Sequence, residues 1–352
     1  MSSRRNAARP TAAAAAAPRP RARVPCAPVP RAARAPRVRG AALLVAMLLL
    51  TVVATLASGM VWLQWKAVQV ESAERGRAQS AWILNGALDW ARLILREDAR
   101  SGRPTSLNEP WATPLAEARL SSFLSADPSQ AGDNDVEAFL AGSIVDAQSR
   151  YNLRKLIAEG KIVPAQKTVL ERLCQNGGLS PSVATLLSSG LLAAWASGAA
   201  SADGSSSSSS APLAPQTVAD LAWLGVDAES LRRLAPLVTL LPEVTPVNLN
   251  TAPREVLAAV IPGLDLGGAD RLVQARQRRA FHDVAEAAQQ LGGQITLPAG
   301  DVEVKSQYFE VTGRMRLAER VLEEVSLVRR NGLEVLTVHR ERKARFAEDI
   351  RR

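Results

Sequence analysis

The chain has 352 residues, which is enough for one large domain or two smaller ones with hydrophobic cores of their own. Its formal net charge of +9 suggests a nucleic-acid or membrane-surface partner, but residues 1–39 hold ten arginines and no acidic residue. Removing those ten from the 43 basic residues leaves 33 against 34 acidic residues, a net charge of −1. Bulk charge therefore gives no argument for nucleic-acid binding by the body of the protein.

An apolar segment follows the arginine-rich head, and residues 40–65 contain no charged side chain. This stretch is long enough to cross the hydrocarbon core of a bilayer as a helix. Positive charge close to a membrane span resists translocation, so the head is predicted to stay in the cytoplasm. The pattern predicts a single-pass anchor at residues 41–65, with the rest of the chain on the far side of the cytoplasmic membrane.

The helical pattern continues beyond the apolar segment instead of ending with it. Apolar side chains recur at steps of three and four residues, and no proline interrupts residues 41–103. We therefore predict one helix from Ala41 to about Glu97, with its second half in residues 66–100. Its apolar face is predicted to contact a partner helix, with packing on the protein's own sheet as the alternative; the residues are Ala81, Leu84, Leu88 and Ala91.

The rest of the chain alternates between strand-like and helical patterns. Residues 135–153 contain two apolar runs around Gly142, which predict a pair of short strands. Residues 153–196 are predicted to be helical, and the low-complexity segment 197–215 is predicted to be a flexible serine-rich loop. Helical patterning returns between Thr217 and Gly293.

The C-terminal part changes to a period of two residues. Apolar and polar side chains alternate from Phe309 to Leu317, as expected for a half-buried strand. A second strand is predicted at Val321–Arg329, followed by the hairpin signal Asn331-Gly332 and a third strand. Strands on both sides of a long helical block predict a helical domain inserted into an α/β domain.

Residues 245–291 contain a segment that resembles the helix-hairpin-helix motif of DNA-binding proteins. Thr251 is placed to cap a first helix, and a second helix is predicted to begin near Ala269. The alternative function is therefore a membrane-anchored DNA receptor of a competence or uptake system. Acidic residues at two positions would repel phosphate, which favours a packing unit over a nucleic-acid site. The predicted hairpin consists of Pro262, Gly263, Asp265 and Gly267.

Few residues are available for catalysis. The chain contains two histidines, His282 and His339, and two cysteines, Cys26 and Cys174, which lie in different predicted segments. No motif of a zinc protease, a serine hydrolase or a phosphate-binding loop is present. The prediction is a protein that is not an enzyme, with no catalytic residues and no evident cofactor.

The cleavable basic head, the Arg39-Gly40 pair and the long helix together resemble the type IV pilin and pseudopilin class. That resemblance implies a prepilin peptidase that cuts between Gly40 and Ala41 and methylates the new amino terminus. Major subunits of the class carry a glutamate at the fifth mature position, where this sequence has Val45. The absence of a carboxylate there fits a subunit at the tip of a filament.

The order of all these segments resembles the minor pseudopilin K family of type II secretion systems. The resemblance implies an α+β fold in which a long N-terminal helix packs on a small antiparallel sheet, with an inserted all-helical domain. The pilin-like domain would comprise residues 101–153 and 301–345, and the insert residues 154–300, after a leader at 1–40. The implied partners are the minor pseudopilins I and J and the pseudopilus, at the periplasmic side of the bacterial inner membrane.

Calcium binding is a trait that the family resemblance implies. Members of the family tend to carry an acidic cluster after the tryptophan that corresponds to Trp195, and this chain has small residues and serines there. Asp133, Asn134 and Asp135 are oxygen-bearing candidates, but a calcium site needs six to eight ligands from a folded loop. We therefore predict a polar turn at these residues and assign no metal ligands.

Overall fold

The computed structural model describes residues 41–120, 138–202, 212–292, 295–317 and 320–346. The chain divides into two compact units, Met1–Val68 and Gln69–Arg352. Within the described residues, the first unit contains only the beginning of the first helix, and the second contains all the strands and the remaining helices.

The structure contains seven α-helices and eleven strands among the described residues. The helices are α1 (Ala41–Arg100), α2 (Pro164–Asn176), α3 (Pro181–Ala202), α4 (Ala228–Leu234), α5 (Arg254–Val260), α6 (Leu266–Arg278) and α7 (Val284–Gln290). The strands are β1 (Leu115–Arg119), β2 (Ala138–Asp146), β3 (Tyr151–Asn152), β4 (Ile157–Ala158), β5 (Lys161–Ile162), β6 (Val238–Thr239), β7 (Val247–Asn248), β8 (Val302–Glu303), β9 (Tyr308–Leu317), β10 (Arg320–Asn331) and β11 (Glu334–Phe346).

Helix α1 is continuous for 60 residues, so the predicted single helix is confirmed. All side chains of residues 41–68 are exposed, and residues 41–65 carry no charged side chain. Such a segment is long and apolar enough to cross a membrane. In the second half, the buried side chains follow helical spacing and form one face of the helix, at Ser80, Leu84, Leu88, Ala91 and Leu95.

Five antiparallel strands form the main sheet in the order β1-β2-β9-β10-β11. Strand β2 therefore pairs with β9 across more than 150 residues of intervening chain, while β9, β10 and β11 are joined by short connections. The Asn331-Gly332 turn lies between β10 and β11, and Gly332 has a positive φ of 58°. The predicted strands and turn of the C-terminal part are thus present.

The predicted strand pair around Gly142 is wrong, because residues 138–146 form the single strand β2. Gly142 lies opposite Gly313 of β9, and a Cβ atom at Gly142 would come within 3.2 Å of the Thr312 carbonyl oxygen. The glycine therefore allows a close approach of two strands and does not form a turn. Two short 3₁₀ helices follow β2, at Ala147–Ser149 and Leu153–Leu156.

The region between β2 and β9 is mainly helical, but two of its predicted boundaries are wrong. Residues 157–162 form the small hairpin β4–β5, whose turn places Glu159 and Gly160 at positive φ, so the first helix begins only at Pro164. Helix α3 extends through Ala202 and includes the first residues of the predicted serine-rich loop. Residues 203–211 lie outside the described part of the chain. The proposed division into inserted and pilin-like domains stays a prediction.

A large hydrophobic core lies within this helical region. It joins α2, α3, α5, α6 and α7, and fully buried leucines such as Leu170, Leu173 and Leu187 lie at its centre. Two smaller clusters lie between α1 and the main sheet; one contains Leu88, Leu95 and Phe309, and the other contains Leu84, Leu140 and Met315. Burial of these apolar surfaces holds α1 on the sheet.

Candidate functional site

The predicted cleavage site lies at the very beginning of the described chain. Arg39 and Gly40 lie outside the described residues, whereas Ala41 is the first residue of α1. Val45 lies one turn further along α1, and 54% of its surface is exposed. No acidic side chain occurs in α1 before Glu71, so the apolar segment has no carboxylate that could pair with an amine inside a membrane.

The predicted partner contact of α1 is wrong for three of its four residues. Leu84, Leu88 and Ala91 have at most 4% of their surface exposed, and they pack against the protein's own sheet. Ala81 is half-buried at the same side of the helix. Helical periodicity identifies an apolar face but does not identify its partner. In this chain the sheet covers it, so these side chains cannot form an interface with another subunit.

The opposite side of α1 exposes large apolar side chains that periodicity did not single out. This outer face consists of Trp82, Trp90 and Leu93, with 77%, 52% and 45% of their surfaces exposed; Trp90 lies at its edge and also lines a cleft between α1 and the sheet. Aromatic residues at such exposure are unusual on a free surface and are enriched at protein interfaces. The signal in the sequence was the spacing of Trp82 and Leu93, which are eleven residues apart, close to three helical turns.

The two flanks of α1 also differ. On one flank the guanidinium of Arg92 donates to the Val335 carbonyl oxygen at 2.6 and 2.8 Å, and Arg340 donates to Asn85 at 2.6 Å. On the other flank a cleft of about 690 Å³ opens between α1 and the sheet. It is lined mainly by apolar side chains, including Ile83, Ala87, Ile94, Trp111, Leu115 and Ile144.

A buried polar cluster joins the sheet to the helical region. We call it the polar junction, and it consists of Asp146, Asn248, Thr251 and Ser306. Three side chains donate to the same oxygen, Oδ2 of Asp146: Asn248 at 2.9 Å, Thr251 at 2.6 Å and Ser306 at 2.6 Å. The Gln148 amide donates to Oδ1 at 2.8 Å. Since four donors surround the carboxylate, its charge is hydrogen-bonded although only 1% of the residue is exposed.

Burial raises the pKa of the Asp146 carboxyl above its ordinary value, and the hydrogen bonds from Ser306, Thr251, Asn248 and the Gln148 amide oppose that increase. The junction joins Asp146, at the end of β2, to Asn248 and Thr251. Their mutual contact was not predicted, because they are about 100 residues apart. Thr251 was predicted as a helix cap; its hydroxyl instead donates to Asp146, and α5 has Pro253 at its N-cap position.

The predicted hairpin is present between α5 and α6. Gly263 has a positive φ of 78°, which favours glycine in the turn, and Pro262 precedes it. Asp265 is the N-cap of α6, and its Oδ1 accepts from the Gly268 amide at 2.7 Å. Gly267 lies in the first turn, where a Cβ would contact the Asp265 carboxylate. The Asp265 carboxylate thus already accepts the hydrogen bond of a backbone amide that would have to donate to a phosphate in a DNA-binding hairpin.

The described residues contain no group of three or more histidine, cysteine, aspartate or glutamate side chains that could hold a metal ion. Asp133, Asn134 and Asp135 lie outside those residues. We therefore assign no calcium ligands. Cys174 is buried, and burial raises the pKa of its thiol to about 11, with Glu171 adding to the increase.

Comparisons with known proteins agree on one family. Two family models described as "Type II secretion system (T2SS), protein K" match residues 149–243 and 247–304. "Type II secretion system protein K" of Pseudomonas aeruginosa is 28% identical over 312 residues, which cover 83% of this chain and 88% of the relative. The proteins of the same description from Pectobacterium carotovorum and Klebsiella pneumoniae are also 28% identical to this chain. The first match covers 87% of this chain and 96% of the relative, and the second covers 84% of this chain and 94% of the relative.

A solved structure resembles this chain over most of its length. It is described as the crystal structure of the GspK-GspI-GspJ complex from the type 2 secretion system of enterotoxigenic Escherichia coli. The TM-score is 0.55 at 18% sequence identity, and the match covers 77% of this chain and 98% of the matched chain. At this identity the likeness concerns the fold, which is the predicted α+β arrangement of a long helix, an antiparallel sheet and additional helices.

Proposed function

Because two family models and three relatives described as type II secretion system protein K match this chain, we propose that it is a minor pseudopilin that acts by assembly at the tip of a secretion filament. Its partners would be the minor pseudopilins I and J, which the related crystal structure contains in complex with a K subunit. The three subunits would form the first layer from which the pseudopilus grows and supports protein export. The chain would have no catalytic activity and no resident cofactor.

The exposed outer face of α1 is the observation that carries this proposal. Trp82, Trp90 and Leu93 present apolar surface to solvent, while the inner face of the same helix is already covered by the sheet. Burying those two tryptophans against a partner would remove a large apolar area from water. The outer face, together with the neighbouring apolar cleft, would therefore contact subunits I and J.

Co-purification with the two partners tests this assignment. The double variant Trp82→Ala/Trp90→Ala should recover subunits I and J about tenfold less efficiently, since tryptophans dominate many interfaces. Trp223→Ala is the matched control, because Trp223 is 57% exposed but lies in the 3₁₀ helix Ala219–Leu224 of the helical region. Equal recovery by the double variant and the control would contradict the proposed interface.

Processing at the amino terminus would precede assembly. We expect a prepilin peptidase to cut between Gly40 and Ala41 on the cytoplasmic side, leaving α1 as a single-pass anchor in the inner membrane with the remaining chain in the periplasm. Mass spectrometry of the native protein should detect a methylated terminus at Ala41, and a Gly40→Leu variant should retain residues 1–40. A terminus on the periplasmic side of α1 would contradict this order of events.

Position at the tip would follow from two features. Val45 offers no carboxylate to the amine of a neighbouring subunit, so no subunit would be required above this one. The helical region between β2 and β9 would add bulk on the side where another subunit would otherwise dock. The DNA-receptor alternative is not adopted, because Asp265 occupies the α6 amide that would face a phosphate.

A further inference from the structure

A second buried polar cluster lies beside the polar junction, at the end of α1. Arg330 of β10 pairs with Asp98 in the last turn of α1 at 2.5 Å, and its Nη1 also donates to the Leu95 carbonyl oxygen at 3.4 Å. The side chains of Arg330 and Asp98 are only 10% and 8% exposed. A buried pair of this kind is stable only when its remaining donors and acceptors are also hydrogen-bonded.

The remaining donors of Arg330 point towards the polar junction. Its Nη2 donates to the Thr105 hydroxyl at 3.0 Å and to the Ser306 carbonyl oxygen at 3.0 Å. The Thr105 hydroxyl also accepts from the Ser306 amide at 3.1 Å, and the Thr105 carbonyl oxygen accepts from the Asn248 side chain at 3.1 Å. Thr105 and Ser306 are therefore shared by both clusters, and both are at most 3% exposed.

We propose that this chain of buried hydrogen bonds, from Asp98 through Arg330, Thr105 and Ser306 to Asp146 and Thr251, is a conformational link between the last turn of α1 and the helical region. We call it the polar link. Thr105, Ser306, Asp146 and Thr251 are buried, and the side chains of Arg330 and Asp98 are only slightly exposed. Loss of one member therefore leaves its neighbours without a hydrogen-bond partner, which destabilises the next members of the link. The link would hold the helical region in a defined position relative to the end of the helix that subunits pack around.

Hydrogen–deuterium exchange of the full chain in detergent tests the link. Asp98→Asn should accelerate amide exchange in residues 248–252 by about tenfold, because contacting polar networks show coupling of this order. Asp98 pairs with Arg330 and not with residues 248–252. Faster exchange at residues 248–252 would therefore show that the effect of the substitution passes through the polar link. Asp89→Asn is the matched control, since Asp89 lies on the same helix and pairs with Arg92 but is 71% exposed. The control should leave residues 248–252 unchanged.

Two further variants keep the test decisive. Thr105→Val preserves the shape of the side chain and removes the hydroxyl in the middle of the link, so it should accelerate exchange in both residues 94–100 and 248–252. Thr251→Val should accelerate exchange in residues 94–100, because coupling between two sites is reciprocal. Acceleration confined to residues next to each substitution would overturn the proposal. Equal acceleration in residues 168–176, in the core of the helical region, would also overturn it by indicating global opening.

Discussion

The helical region and the layer between α1 and the sheet differ in how completely their cores are closed. In the helical region, leucines such as Leu170, Leu173 and Leu187 have no exposed surface and are surrounded by other aliphatic side chains. The α1 layer contains two smaller clusters, the buried polar side chains Glu324 and Ser326, and an open apolar cleft. The helical region buries its apolar side chains within its own core. The α1 layer leaves apolar surface exposed among the described residues, and another chain can cover that surface.

The largest effect that this comparison predicts concerns cavity formation. Leu173→Ala should lower the free energy of unfolding by about 4 kcal/mol, and Leu84→Ala, beside the open cleft, by about 2 kcal/mol, because a site that can relax costs less. Urea unfolding monitored by circular dichroism measures both. Similar losses for the two variants would mean that the α1 layer is as tightly closed as the helical core.

The next effect concerns the polar junction between the two regions. Asp146→Ala should lower the free energy of unfolding by about 3 kcal/mol, since it leaves the side-chain donors of Asn248, Thr251 and Ser306 without their acceptor. The same urea experiment measures it. Asp283→Ala is a useful comparison, because Asp283 caps the exposed start of α7 and its loss should cost only about 1 kcal/mol.

A pH dependence follows from the same carboxyl group. Burial raises the pKa of Asp146 in the folded state, so the folded protein holds this proton more tightly than the unfolded chain does. Its contribution to the free energy of unfolding should therefore be greatest at low pH, and should fall as pH rises from about 3.8, its ordinary value, through the raised pKa. Subtracting the pH profile of Asp146→Asn from that of the wild type isolates this slope; a rising difference would contradict the sign.

Truncation on the outer face of α1 should have little effect on the isolated protein. Trp90→Ala should lower the free energy of unfolding by about 1 kcal/mol, less than Leu84→Ala, because about half of its surface is already in solvent. Urea unfolding next to Leu84→Ala gives the direct comparison on one helix. A loss as large as that of Leu84→Ala would place Trp90 in the core and weaken its assignment to the assembly surface.

The smallest effect is a lack of thiol reactivity in the closed core. Because burial raises the pKa of the Cys174 thiol to about 11, very little reactive thiolate should exist at pH 8 in the folded state. In a Cys26→Ser background, Ellman's reagent should label Cys174 only after urea unfolding. Fast labelling of the folded protein would indicate that the helical core opens more readily than its packing suggests.

Several features of this protein follow from the sequence alone, and they are local. The charge-free segment of residues 40–65 and the arginines before it predict a membrane span, because hydropathy and flanking charge act without any tertiary partner. The alternation in β9 and the Asn331-Gly332 turn likewise depend only on neighbouring residues. The order of such segments was enough to indicate the family and the α+β fold.

Only the tertiary structure decided which surfaces meet. Periodicity identified the apolar face of Leu84 and Leu88, but a helix face packs equally well on a sheet or on another helix, and the strand order placed the sheet there. The sequence predicted two short strands on either side of Gly142, whereas in the structure Gly142 pairs with Gly313 within the single strand β2. The polar junction brings together Asp146, Thr251 and Ser306 from distant parts of the chain, and such contacts depend on long-range packing that no local pattern encodes.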